Sequence, residues 1–181
     1  ALLDTDTREV PEVLRWQSAR EIPVVRVPIE RYTSQAFHDL EVEKLWKRVW
    51  QFACREEEIP EPGDHTLYEI AGMQVLIVRG ADRAIRAFPN TCLHRGRALK
   101  DGPGRSDELR CAFHGWAWNL DGSLKAVPCR WDFPHVERSD YALPEYATGT
   151  WGGFVFVNMD PHAEPLESFL GDLPRHFERW P

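Results

Sequence analysis

The stretch Asn90-Thr91-Cys92-Leu93-His94-Arg95-Gly96 decides the fold of this chain, together with its counterpart Cys111-Ala112-Phe113-His114-Gly115-Trp116. Each stretch supplies one thiol and one imidazole at close spacing. Sixteen residues separate His94 from Cys111, which lets the chain leave, turn and return beside itself. We therefore expect two loops to meet at one metal centre, with these ligands: Cys92, His94, Cys111 and His114.

The ligand types favour an iron–sulfur cluster over a single metal ion. Two thiolates on one iron and two imidazoles on the other is the ligand set of a Rieske [2Fe–2S] cluster. Zinc is the alternative, because two Cys and two His also satisfy tetrahedral zinc. Zinc fingers pair like ligands, however, whereas each stretch here mixes one Cys with one His.

The pattern Cys-x-His-x-Gly followed by Cys-x-x-His-Gly-Trp resembles the Rieske domain of the ring-hydroxylating oxygenases, the Rieske non-haem iron family. Two flanking segments strengthen the resemblance. Leu45-Trp46-Lys47-Arg48-Val49-Trp50 is similar to the lead-in of the family's α subunits, and Gly153 to Pro161 is similar to the strand that leaves the Rieske domain. A free-standing Rieske ferredoxin, acting only as an electron carrier, is the alternative, although it would need little beyond residues 60–160.

Two positions separate this chain from the Rieske proteins of the cytochrome complexes. Those proteins carry an extra Cys in each ligand loop, and the two form a disulfide; Arg97 and Phe113 stand at these positions here. The residues after Gly115 also lack the hydroxyl groups that those proteins place against the cluster. The resemblance thus implies a reduction potential near the bottom of the roughly −150 to +300 mV Rieske range.

The resemblance implies an enzyme of which this chain is one part. A ferredoxin or flavin reductase would reduce the cluster, which would pass electrons to a mononuclear Fe(II) that hydroxylates an aromatic or related ring with O₂. That iron is held by a 2-His-1-carboxylate triad, normally with a His-x₄-His pair, and His135, His162 and His176 each lack a histidine five positions on. No catalytic residue is therefore expected in this chain. The family also implies a homotrimer or an α₃β₃ assembly, with Arg95 and Trp116 as candidate neighbours of the ligands.

The expected fold is mainly β: a Rieske-type antiparallel β sandwich with a cluster-binding subdomain, flanked by peripheral helices. We divide the chain into three parts, namely an N-terminal arm and helix (1–50), the Rieske domain (51–160) and the start of a catalytic domain (161–181). Apolar alternation and turn residues predict these strands: His65–Ile70, Met73–Arg79, Ala84–Phe88, Glu108–Phe113, Trp116–Leu120, Ser123–Val127 and Gly152–Asn158.

The flanks and the second half predict less regular structure. A partial apolar stripe predicts a docked helix over Tyr32–Trp50 with Ser34 as its N-cap. A short helix is expected around Glu12–Ala19 and another over Leu166–Trp180, while Pro128–Thr150 is expected to be a long packed loop.

Composition excludes several classes of partner. The 181 residues carry a net charge of −7 with acidic residues spread along the chain, which argues against nucleic acid. No run approaches the roughly 20 apolar residues of a membrane helix, and Asp4, Asp6 and Glu9 stand where a signal peptide would be basic. We expect a cytoplasmic protein in which Cys54 and Cys129 are small buried or half-buried residues.

Overall fold

The computed structural model describes residues 4–15 and 26–178. Residues 39–163 form one compact unit, and the described residues before and after them form a second. The described part of the chain contains ten strands, and every pairing between them is antiparallel. The strands are β1 Gln51–Arg55, β2 Asp64–Ile70, β3 Met73–Arg79, β4 Ile85–Pro89, β5 Gly104–Arg105, β6 Leu109–Arg110, β7 Ala117–Trp118, β8 Leu124–Ala126, β9 Ala147–Trp151 and β10 Phe154–Asn158.

The strands make three sheets within residues 39–163. One sheet has the order β1-β10-β9, the second β4-β3-β2-β5, and the third, smaller sheet β6-β7-β8. The first two form the expected antiparallel sandwich, and the third belongs to the expected cluster-binding subdomain. The prediction of a mainly β fold is therefore confirmed.

Strand β3 explains why the sandwich forms, because it is buried on both faces. Successive side chains of a strand point to opposite faces. Val75 and Ile77 pack with the apolar residues of β1 and β10, whereas Leu76 and Val78 pack with the core beneath the ligand loops. Each such burial stabilises the fold by about 1.5–3 kcal/mol. The uninterrupted apolar run in β3 thus joins two cores.

The α helices are short and lie toward the two ends of the described chain, whereas three 3₁₀ helices lie between them, at Glu56–Glu58, Arg130–Asp132 and Arg138–Tyr141. A 3₁₀ turn covers Glu12–Arg15, and the rest of the helix expected around Glu12–Ala19 falls outside the described residues. The α helices are α1 Glu30–Thr33, α2 Gln35–Glu41, α3 Leu166–Leu170 and α4 Leu173–Phe177. None of the helices in the described ranges has the length and apolar content that a membrane crossing requires.

The single helix predicted over Tyr32–Trp50 is wrong in its extent. Ser34 has extended backbone angles, with φ −84° and ψ 122°, and it separates α1 from α2. Its hydroxyl oxygen accepts a hydrogen bond from the amide of Phe37 at 3.3 Å, as the N-cap prediction required. Helix α2 then widens into a π-helical turn over Val42–Trp46. The predicted apolar stripe is not buried as a whole, because Leu40 is 57% exposed.

Other boundaries were also predicted wrongly. Strands β1, β5 and β9 were missed, and most of β9 lies in the stretch expected to be a loop. The strand predicted over Glu108–Phe113 has only two residues, because Cys111 already belongs to a turn. The helix predicted over Leu166–Trp180 is divided at Gly171 into α3 and α4, and Trp180 lies outside the described residues. Cys54 is buried as expected, but Cys129 is exposed.

Candidate metal centre

The first ligand loop follows β4 and is closed by a buried asparagine. Asn90 is 3% exposed, and its side-chain oxygen accepts hydrogen bonds from the amides of Leu99 and Lys100, both at 3.0 Å. Its side-chain amide donates to the carbonyl of Lys100 at 2.7 Å. Because a buried polar group must be paired, Asn90 ties the two ends of the loop together.

Inside this loop the chain makes a tight turn around the first thiol. The amide of Cys92 donates to the carbonyl of Arg97 at 2.7 Å, and the amide of Gly96 donates to the carbonyl of Cys92 at 2.8 Å. Gly96 has φ +74°, a backbone conformation that glycine adopts at no steric cost. The turn therefore needs glycine at this position.

The second ligand loop repeats this turn. The amide of Cys111 donates to the carbonyl of Trp116 at 2.8 Å, and that of Gly115 donates to the carbonyl of Cys111 at 3.1 Å. Gly115 has φ +72°. Arg110 donates to the Gly115 carbonyl at 3.0 Å and holds the turn from outside. The two stretches that resemble each other in sequence are thus the same turn in structure.

The two thiols are buried against each other. Cys92 is 3% exposed and Cys111 is 2% exposed. Burial raises the pKa of Cys92, a hydrogen bond from the backbone amide of His94 opposes this, and contact with the Cys111 side chain raises it further. The amide of Arg95 also donates toward the Cys92 sulfur and lowers its pKa. Backbone amides therefore already point at this sulfur and favour its thiolate form.

The two imidazoles lie beside each other and nearer to solvent. The ring centroids of His94 and His114 are 4.8 Å apart, with 66° between the ring planes. His114 is exposed, whereas His94 is half-buried. Burial lowers the pKa of His94, and the nearby His114 and Arg95 lower it further. Both rings are thus close together, and His94 is biased toward the neutral form that binds metal.

The Nδ1 atom of His94 is buried and has no hydrogen-bond partner. A buried polar atom without a partner carries a free-energy cost of about 1–3 kcal/mol, so a ligand for it is expected. No group of three or more His, Cys, Asp or Glu side chains within the described ranges is arranged to hold one metal ion. In a Rieske [2Fe–2S] cluster, each iron takes only two protein ligands. Two thiols and two imidazoles are the protein donor set of such a cluster.

Aromatic rings surround the imidazoles. The indole of Trp116, 2% exposed, stacks on His94 with 5.0 Å between centroids and 6° between planes. Phe133 lies edge-on to His94 at 5.7 Å, and Phe113 stacks on His114 at 3.8 Å. The half-buried imidazole is therefore walled by apolar rings on two sides.

The structure places the two sequence-predicted thiols against each other and the two sequence-predicted imidazoles beside each other. Trp116 touches one of the imidazoles, whereas the side chain of Arg95 is exposed. Sequence reasoning missed the closing role of Asn90 and the ring of Phe133. The position of Asn90 one residue past β4, just before the turn, was a usable signal, because asparagine commonly bonds nearby backbone groups. Nothing in the sequence pattern singled out Phe133.

Comparison with known proteins connects this geometry to a family. The model of the Rieske [2Fe–2S] domain family matches residues 49–144. The chain is similar to the α subunit of chlorobenzene dioxygenase from Cupriavidus sp., with 31% identity over 176 residues, 93% of this chain and 39% of the relative. It is also similar to the oxygenase subunit of carnitine monooxygenase from Escherichia coli, with 35% identity over 153 residues, 81% of this chain and 40% of the relative.

A solved structure shows the same likeness in three dimensions. The crystal structure of naphthalene 1,2-dioxygenase from Rhodococcus sp. bound to indole superposes with a TM-score of 0.77 at 33% identity, covering 84% of this chain and 36% of that one. The chain spans about two fifths of the length of the curated relatives it matches.

Proposed function

The chain belongs to the Rieske [2Fe–2S] domain family, and from this membership we propose that it is the electron-transfer portion of an oxygenase α subunit that hydroxylates an aromatic or related ring. The family match contains both ligand loops and strands β1 to β8. The likeness to the dioxygenase relative extends over 93% of this chain and so includes both flanks. That extent supports an oxygenase portion over a free-standing Rieske ferredoxin.

The proposed ligand set has two thiolates and two imidazoles. Cys92 and Cys111 bind one iron, and His94 and His114 bind the other. The observation that carries the proposal is the buried, unpartnered Nδ1 of His94 in the same loop pair as two buried thiols. When bound, a Rieske cluster supplies a one-electron redox centre whose imidazole ligands raise its potential above that of an all-Cys cluster.

The residues around the ligands have roles of their own in this proposal. The amides of His94 and Arg95 donate toward the Cys92 sulfur and stabilise its thiolate. Trp116 fixes the plane of the His94 ring by stacking on it. The positive charge of Arg95 lies near His94 and disfavours protonation of that imidazole, so the ring stays available to a metal.

We propose that the oxygenase activity belongs to a longer protein of which this chain is a part. We propose that 1–50 is an arm and helix, that 51–160 is the Rieske domain, and that 161–181 begins a catalytic domain with a mononuclear iron. An aromatic ring is the proposed substrate, supported by the name of the chlorobenzene dioxygenase relative. The proposed electron donor is a ferredoxin or flavin reductase, and the proposed assembly is a homotrimer or α₃β₃.

The cytoplasm is the proposed location. All four cysteines are free: Cys54, Cys92, Cys111 and Cys129. Unpaired thiols persist in reducing compartments, where disulfides are rare. The proposed electron donor, a ferredoxin or flavin reductase, would be present in the same compartment.

The test of cluster binding is a spectroscopic and metal analysis of the anaerobically purified chain. We expect two irons and two acid-labile sulfides per chain, and a Rieske-type EPR signal after reduction with dithionite. One zinc per chain and a silent EPR spectrum would overturn the proposal and leave a structural zinc domain.

Two cysteine variants test the ligand set. Cys111→Ser is expected to lose the cluster, because a serine hydroxyl is a poor substitute for a thiolate on iron. Cys54→Ser is the matched control, since Cys54 is buried like Cys111 but lies on β1 in the other core. Iron retained by the Cys111 variant, or lost equally from both variants, would remove this residue from the ligand set.

A further inference from the structure

Phe133 occupies the angle between two stacked rings. Its ring lies edge-on to His94, with 5.7 Å between centroids and 88° between planes. It lies edge-on to Trp116 as well, at 5.5 Å and 90°. Edge-to-face contacts of this kind are favourable beyond the area they bury. One side chain therefore touches both the imidazole and the indole that stacks on it.

The segment that carries Phe133 is latched to the protein by an arginine. The guanidinium of Arg130 donates to the carbonyl of Phe133 and to the carbonyl of Val136. Val136 is 1% exposed and belongs to the core that also contains Cys92 and Cys111. Arg130 therefore holds the backbone at Phe133, and the buried side chain of Val136 holds it three residues later.

A second anchor follows a few residues later. The indole N–H of Trp118 donates to the carbonyl of Tyr141 at 2.7 Å, and the ring of Tyr141 lies 5.6 Å from that of Trp116. The segment from Arg130 to Tyr141 therefore contacts the rings next to the ligand loops at two points, with Phe133 against His94 and Trp116 and with Tyr141 against Trp116.

We propose that Phe133 is a positioning residue for the metal centre: its ring closes the apolar wall beside His94, keeps water from that side of the imidazole and lowers the reduction potential. The inference rests on the proposed function, because it takes His94 as a ligand. It adds a residue from outside both ligand loops and assigns a role to the Arg130 latch.

The direction of the effect follows from charge. In the oxidised state the positive charge of the iron–sulfur core is balanced by the two thiolates, so that adding one electron leaves a net negative charge. An apolar, water-free surrounding disfavours the more highly charged state. Removing the Phe133 ring admits water, stabilises the reduced state and shifts the potential in the positive direction.

The same segment offers a control. Trp131 is also a large aromatic residue, but it is 78% exposed. Phe133, and not Trp131, is the residue of this segment whose ring contacts His94. Phe133→Ala and Trp131→Ala therefore each remove an aromatic ring, two positions apart in the same segment. Phe133→Leu keeps an apolar side chain beside His94, and Arg130→Met removes the latch without changing the Phe133 side chain.

The measurement is a spectroelectrochemical titration of the reconstituted chain and its variants. For Phe133→Ala we expect a positive shift equivalent to about a tenfold change in the reduction equilibrium, which is about 59 mV for one electron. Arg130→Met and Phe133→Leu are expected to shift in the same direction by less, and Trp131→Ala is expected to match the wild type. Loss of the cluster to an added iron chelator is expected to accelerate in the same order.

The outcomes separate this inference from the proposed function. A wild-type chain that takes up no cluster overturns both. A wild-type chain with a Rieske signal, and a Phe133→Ala potential equal to that of Trp131→Ala, overturns the role of Phe133 alone. If Phe133→Ala does not hold a cluster, Arg130→Met decides, and an unshifted potential in a folded Arg130→Met chain overturns the inference.

Discussion

The imidazole of His94 lies parallel to the indole of Trp116, with 5.0 Å between their centroids and 6° between their planes. Trp116 closes the second turn, because its carbonyl accepts the amide hydrogen bond of Cys111, whereas His94 belongs to the first turn. The stack therefore joins the two ligand loops through a contact between side chains. Because Trp116 is also 2% exposed, the same residue supports the core and orients a proposed ligand.

Substitution of Trp116 is expected to separate these two roles. Trp116→Ala removes a buried ring, and truncations of this kind cost about 3–5 kcal/mol, a large share of the roughly 5–15 kcal/mol that stabilises a typical domain. Trp116→Phe keeps an aromatic face against His94 at a smaller cost. In urea unfolding of the metal-free chain, we expect the free energy of unfolding to be highest for the wild type, lower for Trp116→Phe and lowest for Trp116→Ala. Iron content after reconstitution should fall sharply only for the Ala variant, and equal iron in Phe and Ala would contradict a role for the stack.

The two cysteines outside the ligand loops are expected to differ in reactivity. Burial raises the pKa of Cys54 to about 12, with the nearby Glu58 adding to the effect and Arg79 opposing it. At about pH 8 the thiolate fraction of such a group is only about one in ten thousand, and the thiolate is the reactive form. Cys129 is exposed. Brief alkylation of the native, cluster-loaded chain, followed by peptide mass spectrometry, should modify Cys129 and spare Cys54. Equal labelling would contradict the burial of Cys54.

Strands were predictable where burial is regular and were missed where it is not. Strand β3 was predicted with its observed ends, because its apolar run is buried on both faces and bounded by glycines. Strand β1 was missed, because a register shift between Phe52 and Cys54 breaks the period of two on which a strand pattern depends. Strand β9 was missed because its residues are mostly half-buried and include Gly149, so only its pairing with β10 defines it.

The centre was predictable as a set of ligand types but not as a shape. The mixed Cys and His spacing indicated two matching turns, and the structure has two matching turns with glycines at positive φ. Phe133 reaches His94 from a segment in which Arg130 bonds two backbone carbonyls. That contact depends on how a loop without regular structure folds back over the core, and no periodicity in the sequence encodes it.

His65 is expected to make stability depend on pH. It is 5% exposed, and its Nδ1 lies 3.1 Å from the carbonyl oxygen of Gly63 and donates to it in the neutral ring. Burial lowers the pKa of His65 from 6.5; the Gly63 hydrogen bond opposes this, Lys100 adds to it and Asp64 opposes it. The unfolded chain therefore binds the proton more readily than the folded chain. The stability that His65 contributes to the folded chain is therefore fully present above pH 6.5 and is lost as the pH falls below that value.

The His65 prediction is tested by comparing the wild type with a His65 variant, so that the contributions of the other titrating groups to stability cancel. Wild type and His65→Gln are unfolded with urea in their metal-free forms at about pH 7.5 and about pH 5.5, on either side of the unfolded-state pKa. The wild type should lose more free energy of unfolding between the two conditions than the variant does. Equal losses would show that His65 keeps its ordinary pKa in the folded chain.

Gly122, in the Asp121-Gly122 turn between β7 and β8, is expected to tolerate no side chain. It has φ +84°, and a Cβ atom there would lie 2.6 Å from Cε1 and 2.9 Å from Cζ of Phe88, a fully buried ring. Gly122→Ala therefore combines backbone strain with overpacking, which typically costs about 1–3 kcal/mol. Gly102→Ala is the matched control, because no atom lies within 4 Å of its added Cβ and its φ is not positive. For a chain of this size each kcal/mol lowers the thermal midpoint by about 2–4 °C, so calorimetry should separate the two variants. Equal midpoints would mean that the ring of Phe88 can move aside and that the turn does not depend on glycine.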